Sequence, residues 1–188
     1  TVGADAADAV KAGIEAIAAI DGKFDTFVVG NLGDLGAAPL FAGGPFETLA
    51  TETSAQFDAK LAMNLDLLRD EGPNIIEFDL AALNRRIFDD PGAFGISFTD
   101  VPCTPSFNEF TPADNCAIDP LTGVIDLALA DPFFFADNVH PNRIVQAAAA
   151  DEFRTAVAAA AVVPLPAGLP LLLTGLGVFG ILRMRRAA

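Results

Sequence analysis

Two short apolar runs, Phe27-Val28-Val29 and Ile75-Ile76, each follow a helix-length amphipathic stretch. That alternation constrains the fold more than any other feature of the chain. Parallel strands cannot be joined by a tight turn; they need a crossover of a dozen or more residues, usually a helix. Residues Ala4 to Ile20 carry Val10, Ile14, Ile17 and Ala18 at helical spacing, with Asp5, Asp8, Lys11 and Glu15 between them. Phe24 to Asn31 then reads as a buried parallel strand. Phe46 to about Arg69 reads as a second helix, with Leu49, Phe57, Leu61, Leu65 and Leu68 as its apolar positions. Glu71-Gly72-Pro73 stops it, and Asn74 to Asp79 is a second strand. Leu80 to Phe88 predicts a further helix, closed by Asp89-Asp90-Pro91-Gly92. Phe94 to Cys103 is loop or edge structure, and Val124 to Leu129 has no clear pattern. Arg143 to Ala160 is an alanine-rich helix whose inner stripe is Val145, Ala149, Phe153 and Ala156. The fold class is therefore α/β with a parallel sheet.

Two strands alone leave sheet edges and faces uncovered. The expectation is that further strands precede Thr1. The chain has 25 acidic residues against 11 basic ones, a balance that argues against nucleic acid as a partner. Three of those basic residues, Arg183, Arg185 and Arg186, lie in the last six positions.

Chemistry concentrates at Asp137-Asn138-Val139-His140-Pro141, which holds the only histidine of the sequence. A neutral imidazole near its unperturbed pKa can take a proton from a hydroxyl and return it to a leaving alcohol. It needs an acid to fix its tautomer and stabilise the transient imidazolium. Three residues of separation let one tight bend bring Asp137 and His140 together. Pro141 disfavours helical geometry at His140, so the helix begins just beyond it. A lone Asp-x-x-His also fits a purely structural histidine, and the tetrapeptide does not separate the two readings. Phe133, Phe134 and Phe135, just before it, fit either a packed core or the wall of an acyl pocket.

The order of the pieces resembles the C-terminal half of an SGNH (GDSL-type) esterase or lipase. Phe27-Val28-Val29-Gly30-Asn31-Leu32-Gly33-Asp34-Leu35-Gly36-Ala37-Ala38-Pro39 is similar to that family's strand and loop ending in Asn-Leu-Pro-x-Leu-Gly-x-x-Pro. Gly33 stands where the pattern usually has proline. Phe135 to Pro141 resembles the family's Phe-Trp-Asp-x-x-His-Pro block, with Ala136 in place of the aromatic. Cys103 and Cys116, on either side of a loop rich in Pro, Asn, Asp and Thr, resemble the disulfide-bearing insertion of secreted members. Such a bridge would contribute about 3 kcal/mol; two free thiols in a cytosolic protein are the alternative. The resemblance covers residues 1–160. It implies part of a flavodoxin-like three-layer α/β/α domain whose N-terminal strands are missing. It also implies serine acyl transfer on an ester or lipid substrate, with Asp137 and His140 as catalytic residues and with neither metal nor organic cofactor.

One departure bears on mechanism. The family's nucleophile sits in a Gly-Asp-Ser block, and no such block occurs here. The serines are Ser54, Ser97 and Ser106, none of which follows Gly-Asp. The nucleophile and its oxyanion donors are therefore expected upstream of Thr1, and the 188 residues alone are expected to be inactive. A non-catalytic envelope or matrix protein retaining the fold is the competing reading, and acyl transfer to an acceptor other than water uses the same residues.

Residues 161–188 form a separate segment. Val163-Pro164-Leu165-Pro166-Ala167-Gly168 opens it, Leu165 to Leu182 carries no charge, and the arginines follow. Eighteen residues of helix span about 27 Å, close to a bilayer's hydrocarbon core. This resembles a PEP-CTERM-type sorting signal of the Val-Pro-Leu-Pro-Ala variety. It implies export, a C-terminal transmembrane helix with the arginines on the cytoplasmic side, and an exosortase-like sorting protease as partner. A plain C-terminal membrane anchor is the alternative.

Overall fold

In a computed structural model the described residues are 1–20, 23–104, 116 and 126–161. The chain divides into two units, Thr1–Val157 and Ala158–Ala188. The second enters the described residues only through the end of the last helix, so the expected transmembrane helix and the expected sorting motif at Val163–Gly168 lie outside them. Among the described residues no helix is long and apolar enough to cross a membrane.

The first unit opens with α1 (Val2–Ala18), followed by β1 (Thr26–Gly30), α2 (Glu47–Glu71) and β2 (Asn74–Phe78). β1 and β2 pair in parallel from Thr26 opposite Asn74 to Gly30 opposite Phe78. The crossover that the alternation demanded is α2. Phe27, Val29 and Ile75 alternate onto one sheet face and pack with Ala7, Ile14, Leu61, Leu65 and Leu68 of α1 and α2. The helix pair is fixed by a polar tie as well. Asn64 is buried, and its amide donates to Ala7 O at 3.1 Å and to Asp8 at 3.0 Å. The tightest point of that packing is Gly3, where a Cβ would sit 2.3 Å from Thr53 O of α2.

α3 (Leu80–Asp89), β3 (Phe98–Pro102), the single-turn α4 (Leu127–Ala130), β4 (Phe133–Phe135) and α5 (Arg143–Ala161) complete the described elements. β3 and β4 form a second parallel pair, with Phe98 opposite Phe133 and their rings stacked at 4.6 Å. β3 lies within Phe94 to Cys103, where the sequence indicates loop or edge structure, whereas the phenylalanine run has no strand assigned from sequence. Three residues are too few to show an alternating pattern, and all three phenylalanines are buried. The result is a mixed α/β fold with two small parallel sheets among the described residues.

A second core joins Leu83 and Ile87 of α3, Phe134 and Phe135 of β4, and Val145 of α5 with Ala38 and Ile96. Phe134 stacks on Phe88 at 4.7 Å. The expected inner stripe of α5 is only partly inner. Val145 is buried, but Phe153 is 43% exposed and meets Phe78 edge-on. Ile17 of α1 and Leu49 of α2 are also exposed. Helical spacing sets which residues share a face; the extent of the surface opposite decides how much of that face is covered.

Candidate active site

The Asp137–His140 loop leaves the C-terminal end of β4 and turns at once into α5. Asp137 makes the turn. Its Oδ1 accepts from the backbone N–H of Val139 and of His140, each at 2.8 Å. This is the local preference of an Asp side chain for backbone donors two and three residues on. The same carboxylate faces the imidazole, with Oδ1 and Oδ2 both 3.1 Å from His140 Nδ1. The turn is closed from outside by Ala136 N–H donating to His140 O at 2.8 Å.

Exposure is split between the partners. The Asp137 side chain is 12% exposed and that of His140 is 56% exposed. The acid is shielded where its charge acts more strongly on the ring, and the ring reaches solvent, where a reacting group can meet it. With Nδ1 turned to the carboxylate, Nε2 is the ring nitrogen on the side away from Asp137. That is the arrangement in which a carboxylate holds one tautomer and stabilises the imidazolium.

The loop is anchored on both flanks. Thr104 N–H and Thr104 Oγ1 both donate to Ala136 O at 3.0 Å, and Cys103 N–H donates to Phe135 O at 2.8 Å. Cys103 and Cys116 are disulfide-bonded, with Cα atoms 5.0 Å apart, and pack against Phe133. The expected cysteine pair thus braces the strand beside the loop. On the other flank Asn142 is buried and uses its whole amide. Its Oδ1 caps α5 by accepting from Val145 N–H at 2.9 Å, and its Nδ2 donates to Asp131 O at 2.9 Å. Arg143 reinforces this junction through Nε to Asp131 Oδ1 at 2.6 Å. The sequence reading placed the helix start correctly but did not single out Asn142. The available signal was an Asn directly before an alanine-rich helix, a standard N-cap pattern.

The loop after β1 comes to the same region. Leu40 N–H donates to Asn138 O at 2.9 Å. A cleft of about 150 Å³ lies between Leu32–Leu35 of this loop, Leu80, Asn84 and Phe88 of α3, and Phe134, Phe135, Val139 and Pro141. Val139 and Pro141, the two chain neighbours of His140, line this cleft. Phe134 and Phe135 are core residues, as the first reading above has it, and they also line this cleft. At the base of the β1 loop, Asn31 donates to Asp79 Oδ1 at 2.7 Å and accepts from Ala81 N–H at 2.9 Å.

The serines stand as follows. Ser54 is buried in α2, donating to Ala50 O at 3.0 Å and accepting from Leu35 N–H at 3.1 Å. Ser97 is exposed just before β3, and Ser106 lies outside the described residues. Among the described residues no group of three or more His, Cys, Asp and Glu side chains is placed to hold a metal ion.

No protein-family model matches the chain. Two curated proteins do: "Esterase EstA" of Pseudomonas aeruginosa and "Esterase EstA" of Pseudomonas putida, each 30% identical over 126 residues. The aligned stretch takes in 66% of this chain and 18% of each relative. The chain is distantly homologous to these esterases and spans less than a fifth of their length.

Proposed function

We propose that this chain is the C-terminal part of a carboxylic ester hydrolase of the SGNH/GDSL type, acting by serine acyl transfer. One observation carries the reading: a shielded carboxylate holds the Nδ1 side of an exposed imidazole at 3.1 Å, on a loop whose Val139 and Pro141 line an apolar cleft. Distant homology to esterases over two thirds of the chain supports it. In this reading a serine outside the 188 residues attacks the ester carbonyl. His140 Nε2 takes the hydroxyl proton as the carbon–oxygen bond forms and delivers it to the departing alkoxide. Asp137 balances the imidazolium between those two transfers. Water then repeats the sequence on the acyl-enzyme and releases the acid.

The test is hydrolysis of 4-nitrophenyl esters by the full-length protein encoded by the gene. We expect turnover in the wild type and its loss in His140→Ala. Equal turnover in both would remove His140 from the chemistry, and no turnover in either would favour a non-catalytic envelope protein. The C-terminal segment extends the proposal to export and sorting at the cell envelope. A mature protein ending near Pro164 by mass analysis supports processing by a sorting protease; an intact Ala188 supports a plain anchor.

A further inference from the structure

The side chains lining the cleft at Val139 and Pro141 are apolar except at two places, Asp34 and Asn84. Asp34 is occupied, because its Oδ1 accepts from Gly36 N–H at 2.8 Å. Asn84 is not satisfied in the same way. Its Oδ1 is buried and has no hydrogen-bond partner among the described residues. A buried amide oxygen without a donor is costly, and such groups are rare in native proteins. Asn84 itself lines, from α3, a cleft of a size that admits a benzene ring in an apolar protein cavity, and a turn of its amide would bring Oδ1 to that space.

The opposite wall is fitted to the same side chain. A Cβ at Gly33 would lie 2.3 Å from Asn84 Nδ2. The absence of a side chain at Gly33 is what leaves room for the amide. Gly33 is also the position where this loop departs from the proline of the pattern it resembles. The departure and the unsatisfied amide therefore occupy the same few ångströms.

We infer that Gly33 and Asn84 form a polar anchor in this cleft, selecting a small apolar group that carries a hydroxyl over the same group without one. A hydroxyl both donates and accepts, so it satisfies either end of the amide. The assignment of this group to the substrate's acyl or alcohol part rests on the esterase reading above; the binding preference does not. A bare hydrocarbon of the same size fills the cleft but leaves Asn84 Oδ1 unpaired.

The experiment is an NMR titration of the chain with benzyl alcohol and with toluene, which share a ring and differ in the hydroxyl. We expect benzyl alcohol to shift the Asn84 side-chain amide resonances and to bind about fivefold more tightly than toluene, the factor for one net hydrogen bond. Asn84→Leu should abolish or reverse that preference. Gly33→Ala, which displaces the amide without removing it, should weaken benzyl alcohol and spare toluene. Equal affinities in the wild type, or a preference that survives in both variants, would overturn the anchor. In the full-length protein, 4-nitrophenyl 3-hydroxybutyrate should be preferred to the butyrate in kcat/KM, and Asn84→Leu should level them. Hydrolysis of both esters without preference would sink the anchor and leave the esterase reading standing. Probe binding as expected with no hydrolysis of either ester would do the reverse.

Discussion

Asp137 grips His140 at two points, the ring through Nδ1 and the main chain through its backbone N–H. One carboxylate therefore contacts both the backbone of the loop and the ring that the loop carries. Asparagine keeps the acceptor for the backbone bonds but loses the charge. If the full-length protein hydrolyses esters as proposed, Asp137→Asn is expected to lower kcat by about 10⁴, with little change in thermal stability. Asp137→Ala should show a similar loss of kcat and, in addition, lose about 1–2 kcal/mol of stability with the turn bonds. Steady-state kinetics and urea unfolding on the same preparations separate the two roles. A kcat within tenfold of wild type in Asp137→Asn would show that the acid does not act on the base.

Asn142 links the loop to the turn before β4 and caps α5. Asn142→Ala removes the cap and strands the carbonyl of Asp131. We expect a loss of about 2 kcal/mol in urea unfolding, at the upper end for an N-cap because the site is buried. Asn142→Asp retains the cap and loses the donor, so it should fall between wild type and alanine. Equal stability of the aspartate and alanine variants would show that the cap contributes nothing.

Asp58 and Asp79 predict opposite responses to pH. Burial pushes the Asp58 carboxyl up, aided by the charge of Asp79 and opposed by the Leu32 N–H and by Arg85. Its folded pKa lies above its unfolded one, so its contribution to stability is fully present below the unfolded value. That contribution is lost as pH rises through the folded value. Burial also pushes Asp79 up, but hydrogen bonds from Asn31 and Ala82 N–H, with Arg85 and Arg86 nearby, outweigh it and hold the carboxyl down. Its contribution is present above the unfolded value and is lost as pH falls through the folded one. We expect Asp58→Asn to raise the urea midpoint at pH 7 and Asp79→Asn to lower it. Both effects should shrink as the pH approaches about 3, below the ordinary carboxylate value. Shifts of the same sign at pH 7 would contradict this assignment.

Much of this architecture was legible in the sequence because it rests on local rules. The α/β alternation gave β1, α2 and β2 to within a few residues, since a parallel crossover leaves a clear apolar rhythm. Asp137 and His140 were legible because three residues of separation suffice for the turn. β3 and β4 were not, because Phe98 and Phe133 are 35 positions apart and their pairing is decided by packing rather than by pattern. Leu49 and Phe153 read as inner residues by spacing, yet they lie where nothing fully covers them. The cleft was also out of reach. Gly33 and Asn84 are distant in sequence, and only folding brings the missing Cβ of one against the amide of the other.

The most direct measurement of the central relationship is covalent labelling by a fluorophosphonate probe, followed by peptide mapping. In the full-length protein we expect a single labelled serine outside the present 188 residues, and labelling slowed by about 10³ or more in His140→Ala. Rapid labelling that His140→Ala leaves unchanged, or labelling of Ser54, Ser97 or Ser106 in this chain alone, would contradict a histidine steered by Asp137 toward a serine supplied from elsewhere.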